Sequence, residues 1–255
     1  MEPHANLTSR QRSWVVVLPV IASMMAALDT VVVSTALSPI RVHLHASVGQ
    51  LEWTVNAYNL SFAVLLMTAA ALGDRFGRKR MFAFGLGLFS AASAACALSP
   101  DIGFLIAARA VQGAGAAFIL PLALAILTGA FPPEKRGTAI GMFSAVTGIS
   151  VALGPIIGGA IVHGINWPWI FWVNVPIGLL AIPLVLARLD ESFGKRVALD
   201  IPGVALITAA AFGVVWGLVR GNSAGWGSAE VVGSLVVGTG LAVAFVRWEL
   251  RARRG

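Results

Sequence analysis

Two charged residues lie inside long apolar runs of the sequence, where a lipid bilayer would exclude them. Asp29 falls within the run that begins at Trp14, and Arg109 interrupts the run from Ile102 to Phe131. A charge near the bilayer centre costs about 2.5 to 3.5 kcal/mol even on a lenient insertion scale, so such residues usually face a cavity or each other. Counting about 1.5 Å per helical residue from the outer ends of the runs puts both at about 10 to 12 Å depth. We therefore expect a functional pair facing a wet interior, with a purely structural ion pair as the alternative.

The composition places the whole chain in the membrane. Of its 255 residues 58% are hydrophobic and only 11% are charged, with a mean hydropathy of +0.85, which leaves too little polar surface for a water-soluble domain. The apolar runs are about twice as long as barrel strands and do not alternate, so they predict an all-α membrane protein. The eight predicted spans are 14–37, 51–72, 81–98, 102–131, 137–162, 167–186, 200–219 and 229–245.

The basic residues predict the topology. With a cytoplasmic N-terminus, all of the 18 Lys and Arg residues except Arg41, Arg109 and Arg220 fall in inside segments. This bias predicts a multi-pass protein of the plasma (inner) membrane with both termini in the cytoplasm. The net charge of +7 is spread over five such segments, so it indicates topology and no nucleic-acid partner.

The sequence offers no signature of an enzyme. Cys96 is the single cysteine, which excludes an internal disulfide, and the four histidines are scattered, so no metal site is expected. Serine, histidine and carboxylate residues do not converge in a catalytic spacing, and no phosphate-binding loop follows a strand. We predict neither catalysis nor a bound cofactor.

Small residues form a stripe on the fifth span. Ser150, Gly154 and Gly158 recur every fourth residue, with Pro155 and Gly159 beside them. Such a stripe lets another helix approach closely, and a proline bends it. Close packing alone and direct contact with a ligand are both open at this point.

Two amides share a face of the second span. Asn56 and Asn59 are three residues apart, so both point to the same side of a helix. We expect that side to look into protein or water instead of lipid.

Four ordered segments resemble signatures of the major facilitator superfamily, and in particular of its 14-helix drug:proton antiporter (EmrB/QacA-like) family. The first helix contributes Leu28, Asp29, Thr30, Val32, Val33, Ala36, Leu37, and the loop after the second helix contributes Gly73, Asp74, Arg75, Gly77, Arg78, Lys79. The fourth and fifth helices contribute Leu105, Arg109, Gln112, Gly113, Gly115, Ala116, Ala117, and then Gly154, Pro155, Gly158, Gly159. The resemblance identifies the chain as the N-terminal portion of such a protein.

The resemblance implies a six-helix bundle of two inverted three-helix repeats over residues 14–188, followed by two further membrane helices at 200–248. The implied flanking parts are a cytoplasmic N-terminus at 1–13, a cytoplasmic loop at 189–199 and a basic cytoplasmic tail at 249–255. The two further helices would be the pair that joins two bundles in 14-helix members.

The function implied by the resemblance is proton-coupled efflux of small hydrophobic or cationic compounds, driven by the proton gradient. Asp29 would carry the proton and Arg109 would bias its affinity, with Gln112, Asn56 and Asn59 as further cavity residues. The loop from Gly73 to Lys79 would act as a conformational latch. The small-residue stripe on the fifth helix would pack tightly and seal the path.

The partners expected from the sequence are the bilayer, a small-molecule substrate and protons. Because the chain offers only one six-helix bundle, a second chain supplying the other bundle is also expected as an option. The alternatives are a truncated or partner-dependent half-transporter without transport of its own, and a metabolite uniporter or symporter of the same superfamily.

Overall fold

The computed structural model describes residues 9–194 and 200–252, and every regular element within them is a helix. The helices are α1 (Ser9–His43), α2 (Val48–Phe76), α3 (Arg78–Ala97), α4 (Ile102–Gly129), α5 (Pro133–Gly164), α6 (Trp169–Trp172), α7 (Asn174–Arg188), α8 (Ile201–Ala224) and α9 (Ala229–Ala252). Eight described segments are long and apolar enough to cross a membrane, with α6 and α7 forming one span. The predicted all-helical architecture with eight spans is confirmed.

A few residues with clear local roles begin and end the helices. Ser47 starts α2 through a capping box, in which the Gln50 side chain accepts the Ser47 N–H at 2.9 Å. Asp101 caps α4 in a similar way. α2 and α3 meet at Gly77, whose φ of +107° is a conformation that residues with a side chain rarely adopt.

The first six spans pack in a symmetric pattern. α4 packs along both α2 and α3, and α1 packs along α5 while also touching α4 and α7. If α1, α2 and α3 are matched with the fourth, fifth and sixth spans, then the contact of α2 with α4 corresponds to the contact of α5 with α1. This exchange is the arrangement expected of two inverted three-helix repeats.

α8 and α9 form a hairpin whose first helix lies against α2. The hydroxyl oxygens of Thr68 and Thr208 are 2.7 Å apart, which gives one hydrogen bond between α2 and α8. Nearer the other end of the same interface, the rings of Trp53 and Trp216 lie 5.5 Å apart. The hairpin is therefore tied to α2 at two heights.

Most helices extend beyond the predicted spans. α1 continues past Leu37 through Pro39 to His43, because the apolar run ends before the helix does. Counted from helix ends, Asp29 and Arg109 would differ in depth, yet they are in contact. Their contact shows that the two residues lie at the same height along the bundle.

The predicted division into a bundle at 14–188, a loop at 189–199 and a helix pair at 200–248 remains a prediction. Parts of it lie outside the described residues, namely 1–8 of the N-terminus, 195–199 of the loop and 253–255 of the basic tail.

Candidate functional site

The centre of the first bundle holds a direct ion pair between α1 and α4. Arg109 Nη1 donates to Asp29 Oδ2 at 2.5 Å, and each side chain is only 1% exposed. From the sequence we expected Asp29 and Arg109 to face each other across a wet interior. This part of the expectation is wrong, because the helices pack closely enough for the carboxylate and guanidinium to touch.

Two neutral amide side chains donate to the Asp29 carboxylate, and both also reach a neutral serine. Asp29 Oδ1 accepts hydrogen bonds from Gln112 Nε2 at 2.9 Å and from Asn174 Nδ2 at 2.8 Å. The same two amide nitrogens reach Ser93 Oγ at 2.7 and 3.4 Å. We call the residues Asp29, Ser93, Arg109, Gln112 and Asn174 the buried polar cluster, and it joins α1, α3, α4 and α7.

The guanidinium has partners besides the carboxylate. Arg109 Nε donates to the Thr54 carbonyl at 3.1 Å, and Nη1 also donates to Gln112 Oε1 at 2.6 Å. Its central carbon lies 4.2 Å from the ring centroid of Tyr58 and 5.8 Å from that of Phe171, both within cation–π range. The positive charge is thus held from α2, α4 and α6 even apart from Asp29.

Glycines on α4 bring this shell together. A Cβ at Gly113 would overlap the Tyr58 carbonyl, and one at Gly115 would lie 2.6 Å from the Phe89 backbone nitrogen. α2 and α3 can therefore approach α4 closely enough for Tyr58 and Ser93 to reach the arginine and the glutamine.

The amides predicted on α2 lie apart from this cluster. Asn56 is half-buried and Asn59 is exposed, and among the described residues neither hydrogen-bonds to a cluster member. The assignment of Asn56 and Asn59 as cavity residues therefore remains a prediction. The α2 residues next to the ion pair are Thr54 and Tyr58, which lie on another face.

The stripe on α5 faces α1. A Cβ at Gly154 would lie 2.9 Å from Val31 Cβ, and one at Gly158 would overlap the Thr35 side chain. Ser150 is buried on the same side, whereas Pro155 is exposed and nothing lies within 4 Å of a Cβ at Gly159. The regular stripe, without its two flanking residues, makes the helix contact.

The predicted latch loop joins α2 to α3 at one end of the bundle. Arg78 Nη2 and Nε each lie 2.7 Å from Asp74 Oδ1, and Gly73 packs against α4. Arg75 is exposed beside the Phe76 ring. Among the described residues at this end of the bundle, the Lys79 side chain makes no hydrogen bond or ion pair. Its backbone N–H, however, donates to a Glu191 oxygen.

A carboxylate that sequence reasoning missed covers this loop. Glu191, just after α7, accepts the Lys79 N–H at 2.9 Å and the Arg80 N–H at 3.3 Å, and so caps the start of α3. The Asp74 carbonyl accepts the Gly194 N–H at 3.0 Å, and the Ser192 carbonyl accepts the Arg78 N–H at 2.8 Å. The segment after α7 therefore holds both halves of the loop.

Within the described part of the chain, no three His, Cys, Asp or Glu residues are grouped so that they could hold a metal ion. The carboxylate at the centre accepts hydrogen bonds from an arginine and two amides.

Eight membrane-spanning segments, six of which form a bundle around a buried acid–base pair, define a multi-pass membrane protein. Residues 20–248 match the family model of the Major Facilitator Superfamily. The chain belongs to this superfamily.

Its relatives include proteins of drug resistance and export. It is 39% identical over 248 residues to the tetracenomycin C resistance and export protein of Streptomyces glaucescens, covering 96% of this chain and 46% of that protein. It is 38% identical to the methylenomycin A resistance protein of Streptomyces coelicolor, covering 84% of this chain and 45% of that protein. The chain thus spans about half the length of the relatives it matches.

Solved structures show the same fold. The crystal structure of the peptide transporter POT in complex with sulfate matches with a TM-score of 0.65 and 15% identity, covering 99% of this chain and 55% of that one.

Proposed function

We propose that this chain is the proton-coupling half of an antiporter that exports small hydrophobic or cationic compounds across the plasma membrane, in the manner of the 14-helix EmrB/QacA-like family. The observation that carries the proposal is the Asp29–Arg109 pair in the apolar centre of the bundle. Ionisable residues are retained at such depth mainly where they serve proton or substrate movement. Membership of the superfamily and the resistance proteins among its relatives support transport over enzymatic chemistry.

The Arg109 guanidinium keeps hydrogen-bond partners whether Asp29 is ionised or protonated. When Asp29 is ionised, its oxygens accept bonds from Arg109, Gln112 and Asn174. When a proton adds to the carboxylate, the guanidinium keeps the Thr54 carbonyl and its other neutral partners. The Arg109 charge would then lack a counter-charge but keep these hydrogen bonds and its cation–π contacts, which lower the cost of that state.

A second six-helix bundle, on the same polypeptide or on another chain, would complete the transport path. The relatives are about twice as long as this chain, and alternating access in this superfamily is the relative movement of two bundles. The α8–α9 hairpin would connect them, and both ends of the chain would face the cytoplasm.

The remaining motifs would support this cycle. Close packing of Gly154 and Gly158 against α1 would seal the route beside Asp29 against proton leak. The loop held by Glu191 would stabilise one conformational state from the cytoplasmic side.

Export of a fluorescent lipophilic cation such as ethidium tests the proposal. The chain would be expressed alone and fused in place of the matched half of the Streptomyces glaucescens protein, in cells that lack their own efflux pumps. We expect the folded fusion to lower ethidium accumulation, and an uncoupler that collapses the proton gradient to abolish the effect. Asp29→Asn should abolish it as well, with equal amounts of protein in the membrane.

Export that persists without the gradient, or with Asp29→Asn, would contradict proton-coupled antiport. Export by the fusion but not by the chain alone is the result expected of a half that needs a partner, which the half-length match to its relatives favours.

A further inference from the structure

Asp29 receives one of its hydrogen bonds from a helix outside the α1–α4 pair. Asn174 Nδ2 donates to Asp29 Oδ1 at 2.8 Å, and Asn174 is itself only 4% exposed. It is the first residue of α7, directly after the short helix α6. Its contact with Asp29 was not expected from the sequence.

The two amides around Asp29 are not equivalent. Gln112 lies three residues from Arg109 on α4 and accepts a bond from it at 2.6 Å, so it moves together with the arginine. Asn174 makes the same two contacts, to Asp29 Oδ1 and Ser93 Oγ, from α7. Asn174 therefore connects α7 directly to the Asp29 carboxylate. A bond that donates to a carboxylate favours the ionised form, so the contact depends on charge.

One glycine sets how close α7 comes. Gly178 lies one turn after Asn174 and is buried against α3, where a Cβ would overlap the Ser90 side chain. Ser90 Oγ is buried and has no hydrogen-bond partner. The close approach of α7 to α3 at Gly178 is what lets Asn174 reach Asp29 and Ser93.

Val173 separates α6 from α7, and Pro176, in the first turn of α7, has no N–H to donate to the Trp172 carbonyl.

We propose that Asn174 is a positioning residue that couples the charge of Asp29 to the seating of α7 on α3. The ionised carboxylate holds Asn174, and with it the first turn of α7. When a proton from solution forms an O–H bond on the carboxylate, that hold weakens and the turn shifts at Val173. This inference rests on the proposed function, because it assigns a structural response to the proton that the cycle would carry.

Among the described residues, the ionisable groups that face Asp29 are Arg109 from α4, Tyr58 from α2 and Cys96 from α3. The Cys96 Sγ lies 3.6 Å from Gln112 Oε1. Nearer the outer end, His43 of α1 contacts the Trp167 ring at 5.8 Å. A test of pH dependence must separate Asp29 from His43 above all.

Fluorine NMR of the purified protein in detergent gives the test. All tryptophans would carry fluorine, and the Trp172 resonance would be assigned by its loss in Trp172→Phe. We expect this resonance to titrate with pH in the parent and in His43→Gln, and to stop titrating in Asp29→Asn. Asn174→Ala should reduce the amplitude of the titration at least severalfold, while Asn166→Ala, a change at an exposed loop amide, should leave it intact.

A compensating pair separates coupling from folding. Gly178→Ala should reduce the amplitude by pushing α7 off α3, and Ser90→Gly combined with Gly178→Ala should restore it, because the space is returned while Asn174 is unchanged. Full amplitude in folded Asn174→Ala, no titration in the parent, or no restoration by the pair would overturn the proposal. Its failure is distinct from failure of the proposed function, because ethidium export does not enter this measurement.

Discussion

Asp29–Arg109 and Asp74–Arg78 are ion pairs of the same two residue types in opposite surroundings. The first pair joins α1 to α4 with both side chains 1% exposed, whereas the second joins the end of α2 to the start of α3 with side chains 47% and 22% exposed. Desolvation and the number of partners differ accordingly. Breaking the buried pair should therefore affect the whole bundle, and breaking the loop pair should affect only the loop.

The largest effect is expected from Arg109→Leu. The Asp29 carboxylate would remain buried with only neutral donors, which costs about 3 to 5 kcal/mol when a buried pair loses one partner. The free energy of unfolding in mixed detergent would measure the loss. Asp29→Asn combined with Arg109→Leu should recover part of it. Equal stability of Arg109→Leu and the parent would remove the distinction between the two pairs.

The next effect concerns the helix that carries Asp29. Gly158→Leu would force a side chain into the α1–α5 contact and cost about 1 to 3 kcal/mol by overpacking. Gly159→Leu is the matched control, since nothing lies within 4 Å of a Cβ there. Thermal stability in detergent should separate the two variants. If both behaved alike, the contact between Gly158 and α1 would be wrong.

A smaller effect is expected at the loop from Glu191→Gln. The start of α3 would lose a charged cap, at a cost of about 1 kcal/mol, because an amide attracts the helix N-terminus less than a carboxylate does. Hydrogen exchange at Lys79 and Arg80 should rise, while Glu52→Gln on an exposed face should leave it unchanged. Unchanged exchange in Glu191→Gln would contradict the capping role.

The smallest effect is expected from Asp74→Asn. An exposed pair four residues apart contributes about 0.3 to 0.5 kcal/mol. The difference in unfolding free energy between Asp74→Asn and the parent should vanish at high salt, which screens exposed charges. A large effect that salt does not reduce would place Asp74 in a buried network like that of Asp29.

The two pairs also show what sequence alone could reveal. A charge inside an apolar run stands out, so Asp29 and Arg109 were found and their equal depth was correct. Ser93 was missed because a serine in a membrane helix carries no distinctive pattern. Asn174 lies in the stretch from Trp167 to Gly178, which resembles the same antiporter family but gave no indication of a contact with Asp29. Only the packing of α3 and α7 around α1 brings them to the carboxylate.

The errors have physical causes. The expectation of a wet interior failed because glycines such as Gly113 let the helices close around the pair. Glu191 was missed because a loop carboxylate becomes a helix cap only when the chain returns to the start of α3.

The partners of Arg109 other than Asp29 have an electrical consequence. Thr54, Gln112, Tyr58 and Phe171 hold the guanidinium with neutral groups, so protonation of the carboxylate would turn a neutral core into one with a single positive charge. A membrane voltage exerts about 2.3 kcal/mol per elementary charge per 100 mV. The voltage would thus act on the protonated bundle and leave the ionised one nearly unaffected, which a fast charge-movement recording on a planar bilayer would detect.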